Sequence, residues 1–484
     1  MTTIAIIGAG FSGTLLSLHL LRRCPPPAKL ILIERNAQFG LGVAYATGNP
    51  SHILNVPAAR MSAFHDQPDH FLNWLSTQPE TDAGPPNFGP HNFGPPNFGP
   101  HNFGPPSFGP HSFVPRQMFG AYIRALLNEE IKRCGRDRLE LVRGAVTAVD
   151  RRPHKLTLTL DRDRTIEADF AVLATGNFPP EPVPVANPGF YDTPFYRPDP
   201  WATDAITGLD PDAPALLLGT GLTMVDAAIS LLDQGHRGPI QALSRRGLIP
   251  RRHEAVPMHV REHAPFPTSV NALTRFLRRE AQRATAQGGG WQPIIDELRP
   301  FTVDVWQTMT LGDRARFLRH LRPWWDVHRH RTATAVADRI DAACASGQLR
   351  IIPGRVRDYT IRTSRVEVTY KPRGQDRLDR IEAARVINCA GPGADYDRIS
   401  DPLIRSLLRD GVVRPDPLRL GLDVTANCAL LNQDGAMSRR LFAVGPVTKG
   451  AFWEITAVPD IRRQTEKLAD YLAPLVKAAL VGRA

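Results

Sequence analysis

Gly8, Gly10 and Gly13 stand at the spacing G-x-G-x-x-G. Glu34 follows about 20 residues on, the interval at which a carboxylate meets a ribose hydroxyl. Glycines so placed let a chain turn tightly, approach a pyrophosphate and pack a helix on a strand, while the anion rests on the free N–H groups of the helix start. A second set, Gly219-Thr220-Gly221, lacks the third glycine and is closed by Arg245 and Arg246 instead of an acid. Arginine there accommodates a 2′-phosphate that a carboxylate would repel, so NADP(H) is permitted and NAD(H) is not excluded. Two such turns in one chain predict two dinucleotides and electron transfer between them.

Each turn needs a strand before it and a helix after it. Ile4–Ile7 is an apolar run ahead of Gly8, Leu15–Leu21 reads as the helix, and Leu30–Ile33 is a second buried strand that delivers Glu34. Around the second turn, Leu216–Leu218 is the strand, Leu222–Leu232 the helix that holds Asp226, and Ile240–Ser244 the next strand. Asp169–Leu173 is a further buried strand, ending in Ala174-Thr175-Gly176, small enough to pass beside a bound dinucleotide. Arg385–Cys389, ending in Ala390-Gly391, repeats that pattern and predicts one fold inserted into the other.

Between these parts, Leu139–Val142, Ala145–Val149 and Lys155–Leu160 read as one small antiparallel unit, and the proline-rich stretch 179–200 as a stiff linker. Helices are expected over Leu273–Ala286, Trp291–Met309, Leu311–Leu321 and Ala333–Ala345, then strands Leu349–Ile352 and Val356–Thr363. Arg322–Arg331 places Trp324 and Trp325 beside His328 and Arg331. That is either a substrate wall or a helix with two core tryptophans. Leu441–Pro446 is a strand, and a helix from Asp460 to Leu475 would start where it could stabilise charge on a reduced flavin.

Residues 84–113 are six pentapeptides, Gly-Pro-(Pro/His)-(Asn/Ser)-Phe. A proline in every unit excludes helix and interior strand, which leaves an extended surface expansion. His91, His101 and His111 recur within it, with nothing to order them around a metal ion. Deleting the repeat is expected to leave cofactor content unchanged, checked by flavin absorbance per polypeptide.

A length of 484 residues suggests two or three domains. The net charge of +11 comes mostly from arginines spread over every region, which reads as solvated helix surface rather than a nucleic-acid footprint. No run is apolar enough for a membrane span, and no secretory signal is visible, so a cytoplasmic location is expected. The five cysteines are far apart with no C-x-x-C, which argues against a dithiol–disulfide reductase.

Gly8-Ala9-Gly10-Phe11-Ser12-Gly13, Leu54-Asn55-Val56-Pro57-Ala58, Gly219–Asp226 and Arg319–Arg329 together resemble the FAD/NAD(P)-binding flavoprotein family. Besides uncharacterised bacterial flavoproteins, that family includes aspartate N-monooxygenases and a group of FAD-dependent urate hydroxylases. The resemblance covers nearly the whole chain apart from the repeat. It implies an α/β fold with two Rossmann-like, three-layer ββα dinucleotide domains: FAD on 1–180 and 381–484, NAD(P)H on 205–265 and 349–380, and a helical substrate-side insertion at 266–348. Cofactor contacts are then expected from Gly8, Gly10, Phe11, Ser12, Gly13, Glu34, Arg35, Asn55, Thr175, Gly176, Gly219, Thr220, Gly221, Thr223 and Gly445. The implied reaction is a monooxygenation with NAD(P)H and O2 on a small anionic substrate, with urate, oxidised to 5-hydroxyisourate, leading. N-hydroxylation of a small amino acid such as aspartate is the alternative, and a flavin oxidase or reductase without oxygen insertion is another. Arg60, His328 and Arg331 are the candidate substrate contacts. The F-x-G-x-x-x-H-x-x-x-W stretch of Baeyer–Villiger flavoenzymes has no counterpart near Phe190–Trp201.

Overall fold

A computed structural model describes residues 1–78, 108–135, 137–254 and 266–481. His91, His101, most of the pentapeptide repeat and the 255–265 part of the second fold lie outside those residues.

The first fold is built on a six-stranded sheet in the order Ala429–Leu431, Met437–Ala443, Phe170–Leu173, Thr3–Ile7, Lys29–Glu34, Leu139–Arg143. Thr3–Ile7 lies in its middle, parallel to both neighbours. A strand covered on both faces must be apolar on both, and this one is. Ile4 and Ile6 pack with Leu16 and Leu20 of the helix Phe11–Arg23 and Leu468 and Leu472 of the helix Val458–Val481. Ala5 and Ile7 face the other way, onto a three-stranded antiparallel sheet of Val146–Arg151, Leu156–Leu160 and Thr165–Ala168. The result is the three-layer ββα architecture expected. One assignment changes: Leu139–Arg143 is the parallel edge of the main sheet, paired with Lys29–Glu34, and not part of the antiparallel unit. Its alternating pattern fits either neighbour.

The second sheet runs Asp379–Ala383, Val366–Pro372, Leu349–Ile361, Ile240–Ser244, Ala215–Leu218, Arg385–Asn388, Tyr196–Arg197. Three expectations are corrected by it. Arg385–Asn388 pairs with Ala215–Leu218, so the boundary at 381 is misplaced and the second fold continues through Asn388. The proline-rich linker contributes Tyr196–Arg197 as an edge strand, with Phe190 and Tyr196 buried in the second core. The two strands expected around Pro353-Gly354 are one, Leu349–Ile361, parallel to Ile240–Ser244 at its start and antiparallel to Val366–Pro372 beyond.

Between the halves of the second sheet come helices Val270–Ala286, Gln292–Leu298, Thr302–Thr308, Leu311–His320, Arg322–Arg329 and Thr334–Ala345. The single helix expected over Trp291–Met309 is broken by a 3-10 turn at Arg299–Phe301, where Pro300 has no N–H to donate. A buried clamp joins the two folds. Arg116, at the start of the helix Arg116–Cys134, holds Asp226 of the helix Leu222–Asp233 through two contacts of 2.8 and 3.1 Å. His52 Nε2 lies 2.8 Å from Ser230 Oγ on the same helix.

Candidate functional site

Gly8 has φ +107°, and a Cβ there would lie 2.3 Å from the Ala174 carbonyl oxygen. A side chain is excluded both by conformation and by space. Its N–H donates to the Ile33 carbonyl at 2.8 Å, which ties the turn to the strand that delivers Glu34. Gly13 has its Cβ position only 1.9 Å from the Gly8 carbonyl oxygen, so the helix beds directly on the turn. That helix starts at Gly10 with no capping side chain and no acid in its first turn. Its first N–H groups therefore remain available to an anion. Buried Glu34 accepts the Ala9 N–H at 2.8 Å and the Asn36 N–H at 3.0 Å, and two contacts leave a carboxylate capacity for more. These features fit a dinucleotide pyrophosphate and its ribose.

The second turn repeats the arrangement. Gly219 has φ +108°, its Cβ position is 2.6 Å from the Cys389 carbonyl oxygen, and its N–H donates to Leu243 at 2.8 Å. Cys389 thus stands to Gly219 as Ala174 stands to Gly8, and the inferred equivalence of the two small-residue strand exits is seen in the geometry. The helix start at Gly221 is again uncapped and acid-free. Thr220 points inward: its hydroxyl bonds Ser244 Oγ at 2.8 Å and the Leu248 carbonyl, which fixes the loop rather than leaving a free contact. Exposed Arg245 and half-buried Arg246 follow the strand, and neither has an ion-pair partner among the described residues.

A turn near the carboxy terminus meets the first site. Gly445 has φ +80°, and a Cβ there would lie 2.5 Å from Ser12 Oγ. Gln464 clamps this turn, accepting the Gly445 N–H at 2.7 Å and donating to Thr448 Oγ1 at 2.8 Å. The same segment then reaches Trp453, which stacks on Trp306 with ring centroids 4.9 Å apart. Trp306 Nε1 donates to the Gly450 carbonyl at 2.7 Å. Trp306→Phe strands that buried carbonyl and is expected to cost about 1–2 kcal/mol of stability, read as a lowered urea midpoint at unchanged m-value.

Trp306 and Trp453 form one end of a cavity of about 540 Å³ among the helices of the insertion. Trp291, Trp324, Trp325 and His328 also line it, and no Asp or Glu does so among the described residues. Behind its wall, Glu454 sits at φ +69° and 3% exposed, a left-handed conformation that costs a non-glycine residue about 1–3 kcal/mol. Its carboxylate accepts the Trp325 indole N–H at 2.7 Å and lies 3.5 Å from Arg329 Nε. Burial alone would raise the Glu454 carboxyl, but His330 3.7 Å away, then Arg329, the Trp325 bond and Lys449, hold it down to about 2. Burial pushes Lys449 down to about 8, helped by Arg322, and its ammonium lies 4.9 Å from the Trp453 ring centroid.

The fold brings Gly8, Gly10, Phe11, Ser12, Gly13, Glu34, Thr175, Gly176 and Gly445 to one end of the first sheet. Gly219, Thr220, Gly221 and Thr223 lie at the corresponding end of the second. Asn55 lies beside the second fold, its carbonyl 3.0 Å from His253 Nε2. Arg35 is engaged elsewhere, bonded at 2.9 Å to Asp401. Among the substrate candidates, only His328 lines the cavity, 4.5 Å from the Trp291 ring and bonded through Nδ1 to the Trp324 carbonyl. Arg331 is buried and neutralised by Asp296, and Arg60 lies within the field of Asp296, Arg299 and Arg331. Two features join the site without having been expected from sequence: Gly42, whose Cβ position is 3.1 Å from the Gly10 Cα, and the Trp306–Trp453–Glu454 group. Gly40-Leu41-Gly42 carried a signal for the first in its glycines. The second had none, since Trp306 lies well over a hundred positions from Trp453 and Glu454.

Residues 5–178 match the FAD-NAD(P)-binding family model. Among solved structures, the chain is similar to the ornithine hydroxylase of Pseudomonas aeruginosa, with TM-score 0.63, 13% identity and 98% of each chain covered. It is similar to the cadaverine monooxygenase of the desferrioxamine pathway of Erwinia amylovora, with TM-score 0.62, 12% identity, and 98% of this chain and 94% of that one covered. The thioredoxin reductase of Lactococcus lactis aligns with TM-score 0.53 and 10% identity over 99% of this chain and 100% of that one. Comparison with curated proteins by sequence found no match. At these identities the structural matches establish the shared α/β dinucleotide-binding fold.

Proposed function

We propose that this chain, built on an FAD/NAD(P)-binding fold, is an NAD(P)H-dependent flavin monooxygenase that hydroxylates the nitrogen of an amine. FAD, when bound, accepts hydride from NAD(P)H and activates dioxygen. Overall, R–NH2, O2, NAD(P)H and a proton give R–NHOH, NAD(P)+ and water. The first turn holds the FAD pyrophosphate on the N–H groups that follow Gly10, with Glu34 on the ribose. The second turn holds the nicotinamide dinucleotide, and Arg245 and Arg246 supply the charge for a 2′-phosphate. Tryptophans 306 and 453 keep water from the inner end of the cavity.

The observation that carries this reading is the segment 445–454. One end of it abuts Ser12 at the dinucleotide turn and the other lines the cavity, so cofactor site and cavity share a wall. An amine reacts through its lone pair, and a cavity without a carboxylate gives an ammonium no counter-charge, so desolvation favours the neutral form. The relatives that act on ornithine and cadaverine support nitrogen as the atom oxidised. Urate, the substrate favoured by the sequence reading, gains no support from this lining or from these relatives. Dithiol chemistry gains none either: all five cysteines are unpaired, and Cys24, Cys389 and Cys428 are buried, with burial raising their thiols.

The test is NADPH oxidation and oxygen uptake by the FAD-loaded protein with a panel of amines and with urate, and mass analysis of the products. Amine-stimulated turnover yielding a hydroxylamine supports the proposal. Turnover that no amine alters, with all oxygen recovered as hydrogen peroxide, overturns it, as does a 5-hydroxyisourate product from urate.

A further inference from the structure

Cations outnumber anions in the buried region behind the tryptophan wall. Arg60, Arg299, Arg329, Arg331 and Arg462 gather where the insertion meets the first fold, opposed by Asp296, Glu454 and Asp460. Arg299 pairs with Asp460 at 2.8 Å, Arg331 with Asp296, and Arg462 Nη1 donates to the Ser62 carbonyl at 2.9 Å. Arg329 differs. It is 7% exposed, yet its Nε and Nη2 have no hydrogen-bond partner among the described residues. Glu454 Oε2 lies 3.5 Å from Nε without making a hydrogen bond. Nε–H and Nη2–H form one edge of the planar guanidinium, so a two-donor edge is left open. Burial, and Arg299 after it, bring Arg329 down to about 10, which leaves it charged at neutral pH. A buried cation with idle donors calls for an acceptor.

The place of this group narrows the acceptor. Asp460 and Arg462 stand near the start of the helix Val458–Val481, and Gln464 of the same helix holds Gly445 beside Ser12 at the first glycine turn. Four residues of helix separate Asp460 from that clamp, a rise of about 6 Å. The arginines are thus within reach of the riboflavin half of an FAD whose pyrophosphate is seated at Gly10. An oxidised flavin is neutral. Hydride from NAD(P)H brings two electrons and one proton to N5, and the added negative charge settles on N1 and the C2 carbonyl oxygen. We propose that the open edge of Arg329 receives N1 and the C2 carbonyl of the flavin and holds that charge, so that Arg329 raises the reduction potential and Glu454 tempers it. Two donors side by side match two acceptors side by side. Glu454, the nearest carboxylate, offsets part of the guanidinium field. The proposal depends on FAD at the first turn and not on which substrate is oxidised.

Two measurements on the FAD-loaded protein test this: its midpoint potential, and the binding of sulfite to its oxidised form. Sulfite adds through its lone pair to N5, leaves the same negative charge on N1 and bleaches the visible flavin band, so its affinity reports how well that charge is held. The wild type is expected to have a midpoint above that of free FAD. Arg329→Gln should weaken sulfite about tenfold and lower the midpoint by about 30 mV, the two-electron equivalent of tenfold. Glu454→Gln, which removes the carboxylate nearest the guanidinium, should shift both in the opposite direction, by about threefold in sulfite affinity. A merely structural disturbance moves both variants the same way. An unchanged potential in Arg329→Gln, shifts of one sign in both variants, or a wild-type midpoint at or below that of free FAD overturns the proposal. Should Arg329→Gln fail to hold FAD, a high wild-type midpoint raised further by Glu454→Gln supports it, and any other result overturns it. Neither measurement involves turnover, so the outcome is separate from that of the oxygenation assay.

Discussion

Gly8→Ala is expected to yield protein that purifies with little or no flavin, whereas Gly219→Ala keeps its flavin and loses its response to NAD(P)H. Both substitutions force a side chain into positive φ and against a backbone carbonyl, 2.3 Å away in the first case and 2.6 Å in the second. Backbone strain contributes about 1–3 kcal/mol and the enforced shift a similar amount. Total stability is about 5–15 kcal/mol, so the folds survive, but the displaced turn no longer presents its N–H groups in register. The contrast is the informative part. Flavin absorbance per polypeptide separates the variants on one axis, and the rate of anaerobic flavin reduction by NADPH separates them on the other. Full flavin content in Gly8→Ala, or loss of flavin in Gly219→Ala alone, would reverse the assignment of the two turns.

Glu454→Gln should lower stability at neutral pH by on the order of 3 kcal/mol and should abolish one component of acid sensitivity. The carboxyl is held at about 2 against an ordinary value of 4.5, a gap worth on the order of 3 kcal/mol. Because the folded-state value is depressed, the contribution is complete above pH 4.5 and is lost as pH falls from there to about 2. Wild type and variant should therefore differ most near neutrality and converge toward pH 2. Glutamine still accepts the Trp325 indole N–H but removes the carboxylate nearest buried Arg329, leaving only Asp460 and Asp296 to oppose its charge from farther off, a loss of the kind that costs several kcal/mol. Chemical denaturation at a series of pH values measures this directly. A constant difference across the range would show that Glu454 does not titrate as described.

Both turns were legible in sequence because the constraint lies in single residues. Gly8 and Gly219 occupy backbone conformations that other residues avoid, and an apolar run ahead of each announces a buried parallel strand. The family resemblance extended that reading to the three-layer architecture. Sheet membership was harder to read. Arg385–Asn388 and Leu139–Arg143 have patterns that suit more than one neighbour, and only tertiary pairing decides. The cavity was half visible: Trp324 and Trp325 stood out, but Trp291, Trp306 and Trp453 arrive from other segments. Glu454 could not have been found, since its partners Trp325 and Arg329 lie more than a hundred positions away and no local pattern marks a left-handed glutamate.

The ties from His52 and Arg116 to Ser230 and Asp226 have a further consequence for how the molecule works. Arg116 meets Asp226 through both guanidinium nitrogens in a largely shielded position, so the pair specifies one register between the two folds. Both ties land on the helix that opens at the second glycine turn, so the orientation of that turn toward the first sheet is set by residues of the first fold.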